Sequence, residues 1–152
     1  MLQQPNSDYC FICGRLNPHG LHLTFFDHGA DEVYADYAVP TAYEGYPGLV
    51  HGGIVAAMLD EVVGRVSMIG DHHHFMMTVR MELKYRHPVP TETPLHLVGR
   101  VERMRGRLGK AIGELYLPDG TLAVEAALTL ADIPAEFLAD ADPEALGWRV
   151  DG

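Results

Sequence analysis

Several features are scarce in this 152-residue sequence, and each absence excludes a class of protein. Two cysteines cannot form a disulfide framework, which favours the reducing cytoplasm. No apolar run approaches the roughly 18 residues needed to cross a bilayer. The first residues, Met1 to Asn6, lack the basic and apolar regions of a signal peptide. We therefore expect a cytoplasmic protein without a membrane partner.

Positive charge is also scarce, since 11 bases face 21 acids and the net charge is −10. That balance argues against a general nucleic-acid binder. Residues 80–110 are the exception, with eight bases against three acids, so that this segment is +5. The rest of the chain has three bases against 18 acids and is −15. A basic segment on an acidic protein suits a small polyanionic ligand. The alternative is a solvent-exposed surface on which the sign of the charge varies by chance.

The order of the periodic segments predicts one α+β domain. We expect an irregular N-terminal segment at 1–20, a folded domain at 21–132 and a surface tail at 133–152 with one short helical turn. A helix over 52–69 is apolar round nearly its whole circumference, which predicts burial on all sides. Alternating patterns predict an antiparallel sheet wrapped round this one long central helix, with strands at 21–26, 32–39, 78–85, 95–102, 108–117 and 121–130.

Two details of the predicted strands bear on function. From 78 to 85 the alternation is unbroken, so Thr78 falls on the polar face, opposite Val79 and Met81. Residues 103–107 have the composition of a hairpin tip that carries Arg103, Arg105 and Arg107.

The start of the central helix carries the residues with most chemical meaning. Gly52 and Gly53 lie where the first backbone N–H groups lack intrahelical partners, so a polarised carbonyl or oxyanion can approach them closely. Asp60 lies about two turns further on, among apolar neighbours. Burying a carboxylate there costs free energy unless the group takes part in the chemistry or is paired with another polar group. Each residue also has an explanation without function. The glycines allow a tightly packed start of the helix, Asp60 is paired with a buried Arg or Ser, and Glu61 is simply exposed to solvent.

These motifs occur together in a recognisable combination. His51-Gly52-Gly53 precedes Asp60 by nine residues counted from the histidine, and Thr78 begins a strand that ends in Tyr-Arg-His-Pro at 85–88. The segments Cys-Phe-Ile-Cys-Gly at 10–14 and Asn-Pro-His-Gly-Leu at 17–21 come earlier. The combination, over about residues 10–131, resembles the hotdog-fold acyl-CoA thioesterases, and among them the subgroup named after the phenylacetate-pathway thioesterase.

The resemblance implies a hotdog homodimer or dimer of dimers that hydrolyses an acyl- or aryl-CoA thioester at a site between subunits, without a cofactor. It implies that the N–H of Gly52, with Gly53 nearby, polarises the thioester carbonyl, and that Asp60 is the nucleophile or the general base. It implies that Thr78 of the other subunit helps to hold the water or Asp60. His51 is expected to shape the loop.

The remaining substrate contacts are also expectations from the resemblance. Many relatives carry Asn or Gln about six residues before the histidine, where this chain has Gly45. Either Glu44 takes that place, or the water is held differently, or the activity is weak. Arg103, Arg105 and Arg107 are candidates for the phosphates of coenzyme A. Met58 and three other methionines are candidates for an adaptable acyl-group lining, the alternative being plain core.

Two other functions and one metal site are also considered. A non-catalytic acyl-CoA sensor of the same fold fits the same motifs. A hotdog dehydratase fits poorly, because His51 and Asp60 are more than two helical turns apart. Cys10, Cys13, His19 and His22 have the ligand types of a zinc site, but the short spacing between the pairs favours no metal.

Overall fold

The computed structural model describes residues 2–138 and 142–151. The described chain has two helices, α1 (Gly52–Gly64) and α2 (Ala135–Leu138). Short 3-10 helices lie at Thr41–Tyr43 and Arg65–Met68. The described strands are β1 (Leu2–Gln3), β2 (Phe26–His28), β3 (Glu32–Ala38), β4 (Met76–Tyr85), β5 (Pro94–Arg105), β6 (Leu108–Tyr116) and β7 (Leu122–Asp132).

The seven described strands form one antiparallel sheet in the order β1-β2-β3-β5-β6-β7-β4. Helix α1 contacts β3 to β7 on a single face of this sheet. The α+β hotdog architecture, with an antiparallel sheet wrapped round one long helix, is therefore confirmed.

Two glycines let α1 lie directly on the sheet. A Cβ at Gly99 of β5 would come within 2.4 Å of the Val62 carbonyl oxygen, and one at Gly113 of β6 within 2.6 Å of Val63 Cγ2. The side chains of α1 that face the sheet are fully buried: Val55, Met58, Leu59, Val62 and Val63. Burial of each stabilises the fold by roughly 1.5–3 kcal/mol before entropy is considered.

The expectation that α1 is buried on all sides is wrong for the side that faces away from the sheet. Ile54, Ala57 and Asp60 are only half-buried, because the sheet covers one side of the helix. The helix also ends earlier than predicted, at Gly64, and continues as a 3-10 turn to Met68. This leaves an apolar helix surface that the chain itself does not cover.

The predicted first strand at 21–26 is wrong. Leu21 and Leu23 are buried, but their N–H groups bond to the carbonyls of Phe11 and Ile12 in the N-terminal segment. His22 between them has φ of 62°, which breaks the pleat. Regular pairing in this region is restricted to β2.

The unbroken alternation predicted for 78–85 is also wrong at one residue. Thr78 pairs with Leu130, but Arg80 pairs with Thr129, so Val79 forms a β-bulge. A bulge shifts the side-chain phase by one residue. Thr78 consequently shares the helix-facing side of the sheet with Met81, whose partner Leu128 is buried there like Leu130.

Both ends of the chain take more part in the fold than predicted. The segment expected to be irregular at 1–20 supplies β1, and Asn6 forms a bridge with Arg149. In the tail, α2 is the expected short helical turn, and the Trp148 indole N–H donates to the His72 carbonyl at 2.8 Å. The part of the tail prediction that covers 139–141 and Gly152 lies outside the described residues. No helix within the described ranges is long and apolar enough to span a bilayer.

The close contact between α1 and the sheet predicts how a methyl group added at Gly99 changes stability. Gly99→Ala should lower the free energy of unfolding by about 1–3 kcal/mol, because the new Cβ meets helix backbone. Gly64→Ala is the matched control, since Gly64 is helical and nothing lies within 4 Å of an added Cβ. It should raise stability by up to about 1 kcal/mol. Urea unfolding followed by circular dichroism measures both, and equal stability of the two variants would contradict the close packing.

Candidate active site at the central helix

His51 caps the start of α1. Its Nδ1 accepts a hydrogen bond from the Gly53 N–H at 2.9 Å, so the Gly53 amide is already used within the chain. The Gly52 N–H has no hydrogen-bond partner within residues 2–138 and 142–151. Gly52 is exposed, and its amide lies at the positive end of the helix dipole. Of the two predicted amides, only that of Gly52 is available to polarise a ligand oxygen.

A cavity of about 580 Å³ lies beside this amide. The Tyr85 hydroxyl on its wall donates to the Gly52 carbonyl at 2.7 Å, which ties the end of β4 to the start of α1. Burial raises the pKa of Tyr85 and so keeps its hydroxyl protonated as a donor. Sequence reasoning missed Tyr85 as a site residue, because its role depends on this contact between two distant elements.

The loop before the helix does not place Glu44 at this cavity. The Glu44 carboxylate accepts the Gly48 N–H at 2.9 Å, outside the cavity lining. Gly45 packs against His51, and an added Cβ would lie 3.2 Å from His51 Cα. The structure therefore places neither residue where it supplies a polar group to the Gly52 amide.

Asp60 and Thr78 form the central pair of the candidate site. The Thr78 hydroxyl donates to Asp60 Oδ1 at 2.6 Å, and both residues belong to the same chain. The hydrogen bond thus forms within one chain, whereas the resemblance implies a Thr78 from the other subunit. The bulge at Val79 turns Thr78 towards the helix of its own chain, where simple alternation would turn it away.

A second cavity, of about 360 Å³, opens at this pair. Met68, Met76 and Met77 line it together with Asp60 and Thr78. Met58 does not, because it is fully buried in the core beneath α1, so the alternative of plain core is correct for that residue. Flexible thioether side chains form an adaptable apolar wall.

The two cavities lie at different ends of the helix. Gly52 and Asp60 are eight residues apart, which is about 12 Å along a helix axis. The linings of the two cavities have no residue in common. Within one chain, the Gly52 amide and the Asp60 carboxylate therefore cannot contact the same thioester group.

The basic residues of the β5–β6 hairpin lie on the outer face of the sheet. A register shift between Val101 and Arg103 turns Arg103 away from the helix, and Arg103 pairs with the exposed Lys110. Arg103, Arg105 and Lys110 line a cleft of about 160 Å³. Arg107 is exposed in the turn, outside the lining of that cleft. The opposing strand thus adds Lys110, which sequence reasoning did not place with the arginines.

The Cys–His ligand set, which the sequence does not favour, is not assembled in the structure. His22 Nε2 lies 2.7 Å from the Asn17 carbonyl, and neither His19 nor His22 belongs to the cysteine cluster. Glu61 joins Cys10 and Cys13 instead, with the three ligand atoms within 4.8 Å of one another. Glu61 is half-buried and ion-paired with Arg65 at 3.2 Å, so the alternative of a simply exposed Glu61 is wrong. Burial raises the pKa of Glu61, and the Arg65 charge opposes that shift.

One curated relative is similar to part of the chain. The acyl-coenzyme A thioesterase THEM4 of Xenopus laevis is 33% identical over 91 residues, which are 58% of this chain and 39% of that protein. The chain thus spans well under half the length of that relative.

Solved structures share the fold. The crystal structure of a thioesterase superfamily protein is 26% identical with a TM-score of 0.75, over 81% of this chain and 63% of that one. The Escherichia coli PaaI protein from the phenylacetic acid degradation operon is 12% identical with a TM-score of 0.66, over 75% of this chain and 81% of that one. The second likeness is one of fold and is compatible with the expected subgroup.

A family model also matches the chain directly. The model of the thioesterase superfamily matches residues 47–124, a range that includes His51, Gly52, Asp60 and Thr78. With just over half of its residues inside this match, the chain belongs to the thioesterase superfamily.

Proposed function

We propose that this protein is an acyl-CoA thioesterase that hydrolyses an acyl- or aryl-CoA thioester to the free acid and CoA. The Asp60–Thr78 hydrogen bond at the mouth of the methionine-lined cavity carries the proposal. A carboxylate oriented by a hydroxyl beside an apolar cavity can attack an acyl carbon or take a proton from water. The name of the THEM4 relative supports the acyl-CoA substrate class.

The 12 Å between Gly52 and Asp60 requires a second copy of the chain. In a two-fold dimer with antiparallel α1 helices, the start of one helix lies near the middle of the other. The Gly52 amide of one subunit can then polarise the carbonyl that Asp60 and Thr78 of the other subunit attack. We therefore assign the carbonyl-polarising group and the carboxylate pair to different subunits.

The surface of the single chain supports this assembly. β4 is the terminal strand of the described sheet, so one of its edges has free backbone groups. Met77 and Val79 on this strand are 42% and 52% exposed, next to the half-covered side of α1. A homodimer through this edge covers that apolar surface. Assembly into a dimer of dimers and a cytoplasmic location remain predictions.

The cleft between Arg103, Arg105 and Lys110 is our candidate for the phosphates of CoA. The sheet register continues the row Arg103–Lys110 through Thr129 to Arg80 of β4. This row lies at the end of the sheet that carries Thr78. The three cations Arg103, Arg105 and Lys110 line one cleft, where they can bind phosphate groups through charge-assisted hydrogen bonds.

The first functional prediction concerns Asp60. Asp60→Asn should keep the fold, since Asn is nearly isosteric, and lower kcat by at least about 100-fold because the amide can neither attack nor accept a proton. Asp71→Asn, at an exposed acid, is the matched control and should keep full activity. A panel of acyl- and aryl-CoA thioesters with a free-thiol readout measures both. Wild-type protein that binds members of the panel and hydrolyses none would identify a sensor instead of an enzyme.

Mixed dimers test which subunit supplies which group. Asp60→Asn subunits mixed with Gly52→Val subunits should recover about a quarter of wild-type activity, since half the dimers are mixed and one of their two sites is intact. The backbone N–H at position 52 remains in this variant, and the lesion is the valine side chain, which blocks the approach of a thioester to that amide. Nothing lies closer than 3.9 Å to a Cβ at Gly52, so the variant should fold.

The control mixture combines Asp60→Asn with Thr78→Val subunits. It should recover nothing, because both residues act from the same chain and every site keeps one lesion. Subunits are exchanged by co-expression, two affinity tags confirm that mixed dimers have formed, and activity is measured on the unfractionated mixture. Recovery in the control mixture, or none in the test mixture, would contradict our assignment.

The phosphate cleft predicts a change in KM. Arg103→Ala combined with Arg105→Ala should raise KM for acyl-CoA at least about ten-fold and leave kcat nearly unchanged, since these contacts form equally in ground and transition states. A pantetheine thioester without the nucleotide should show no such effect. Arg149→Ala is the control. Arg149 is an exposed arginine outside the cleft lining, so this variant should leave KM unchanged. Equal losses with both substrates would show that the arginines act through the fold.

A further inference from the structure

The N-terminal segment brings two thiols onto the helix that carries Asp60. Cys10 Sγ lies 3.8 and 3.9 Å from the two carboxylate oxygens of Glu61, and Cys13 completes the group. One ligand atom from each residue lies within 4.8 Å of the other two. The 3.8 and 3.9 Å between Cys10 Sγ and the Glu61 oxygens are close to the edge of a tetrahedral coordination shell with metal–ligand distances of about 2.0–2.3 Å.

We propose that Cys10, Cys13 and Glu61 bind a divalent transition-metal ion of the zinc class. The set differs from the Cys–His set that the sequence suggested, and it does not depend on the proposed hydrolysis. Thiolate sulfur with one carboxylate oxygen selects zinc-like ions over Mg²⁺ and Ca²⁺, which prefer oxygen ligands only.

The turn that carries the cysteines places hydrogen-bond donors beside both sulfur atoms. The Ile12 N–H donates to Cys10 Sγ at 3.4 Å. Ser7 Oγ accepts the Cys10 N–H at 3.0 Å, which leaves its own hydrogen free for Cys13 Sγ at 3.8 Å. Hydrogen bonds to the ligand atoms orient them and favour their charged forms.

Gly14 fixes the shape of this turn. A Cβ at Gly14 would lie 2.4 Å from the Cys10 carbonyl oxygen, so no other residue fits without moving the backbone. The Gly14 N–H donates to that same carbonyl at 2.8 Å and closes the turn over both cysteines. The Cys-x-x-Cys-Gly pattern is therefore explained by the local geometry.

The charges around the cluster balance when an ion is bound. Two thiolates and the Glu61 carboxylate carry −3, and a divalent ion with the Arg65 guanidinium carries +3. Arg65 is 1% exposed, and its Nε donates to Glu61 Oε1 at 3.2 Å. That contact leaves Glu61 Oε2 to face the Cys10 sulfur and the ion.

A cavity of about 380 Å³ gives the cluster room for one more ligand. Tyr9, Met68, Phe75 and Trp148 line it together with the three proposed ligands. Three protein ligands with a water in the fourth position are an established zinc arrangement. A bound ion would connect the N-terminal segment to the residue next to Asp60 and so hold that segment on α1.

Cobalt spectroscopy tests the proposal on the full chain. Reduced protein stripped with a chelator is titrated with Co²⁺, and we expect one equivalent to give thiolate-to-cobalt charge-transfer absorption with the visible bands of a tetrahedral ion. Zn²⁺ should displace it and raise the Tm. A histidine-only site, such as one at His72-His73-His74, gives no thiolate band. Absence of the band in the reduced wild-type protein would overturn the proposal.

Variants identify the ligands. Cys13→Ser and Glu61→Gln should each weaken Co²⁺ binding at least about 100-fold, the loss expected when a ligand is removed. His22→Ala, at a residue outside the cluster, is the matched control and should bind like wild type. If Cys13→Ser fails to fold, the titrations of Glu61→Gln and of the wild-type protein still test whether this cluster binds the ion. An unchanged thiolate band in folded Cys13→Ser, or wild-type affinity in Glu61→Gln, would also overturn the proposed set.

Discussion

Helix α1 rests with Val62 and Val63 on two glycines of the sheet, and the positions of all the candidate site residues follow from that contact. Gly99 and Gly113 remove the Cβ atoms that would otherwise keep the helix backbone away from β5 and β6. With the sheet-facing side fixed, Asp60 and the Gly52 amide lie on the side that the sheet does not cover. The same contact therefore builds the core and leaves the functional side of the helix accessible.

A buried cation organises the segments on the remaining side. The Arg65 guanidinium donates to the Pro5 carbonyl at 2.8 Å and lies 4.3 Å from the Phe25 ring and 5.2 Å from the Trp148 ring. Its ion pair with Glu61 provides the countercharge that a buried arginine needs. Arg65 thus connects both ends of the chain to the C-terminal end of α1. The two cysteines of the N-terminal segment reach Glu61 as part of this packing.

Two β-bulges explain where side-chain alternation fails as a guide to the site. In β4 the bulge at Val79 places Thr78 on the face of the sheet that packs against the helix. In β5 the register shift after Val101 places Arg103 on the opposite, outer face. Both residues would point the other way in regular strands. Nothing in the local sequence marks either bulge, since the residues involved are ordinary strand formers. Simple alternation therefore turns Thr78 away from its own helix, and the bulge turns it towards that helix.

The sequence by itself determined the fold class, the central helix, the order of the long strands and the site candidates His51, Gly52 and Asp60. The helix and the strands depend on local periodicity, which the chain carries without tertiary information. His51 and the role of Asp60 as nucleophile or base came from the family resemblance. The tertiary structure decided the partners: Thr78 for Asp60, Tyr85 for Gly52, Lys110 for Arg103, and Glu61 for the two cysteines. Those pairings join residues far apart in the chain, and their geometry depends on bulges, on a 3-10 turn and on a left-handed residue at His22. Such features arise from the packing of whole elements, so only the folded chain reveals them.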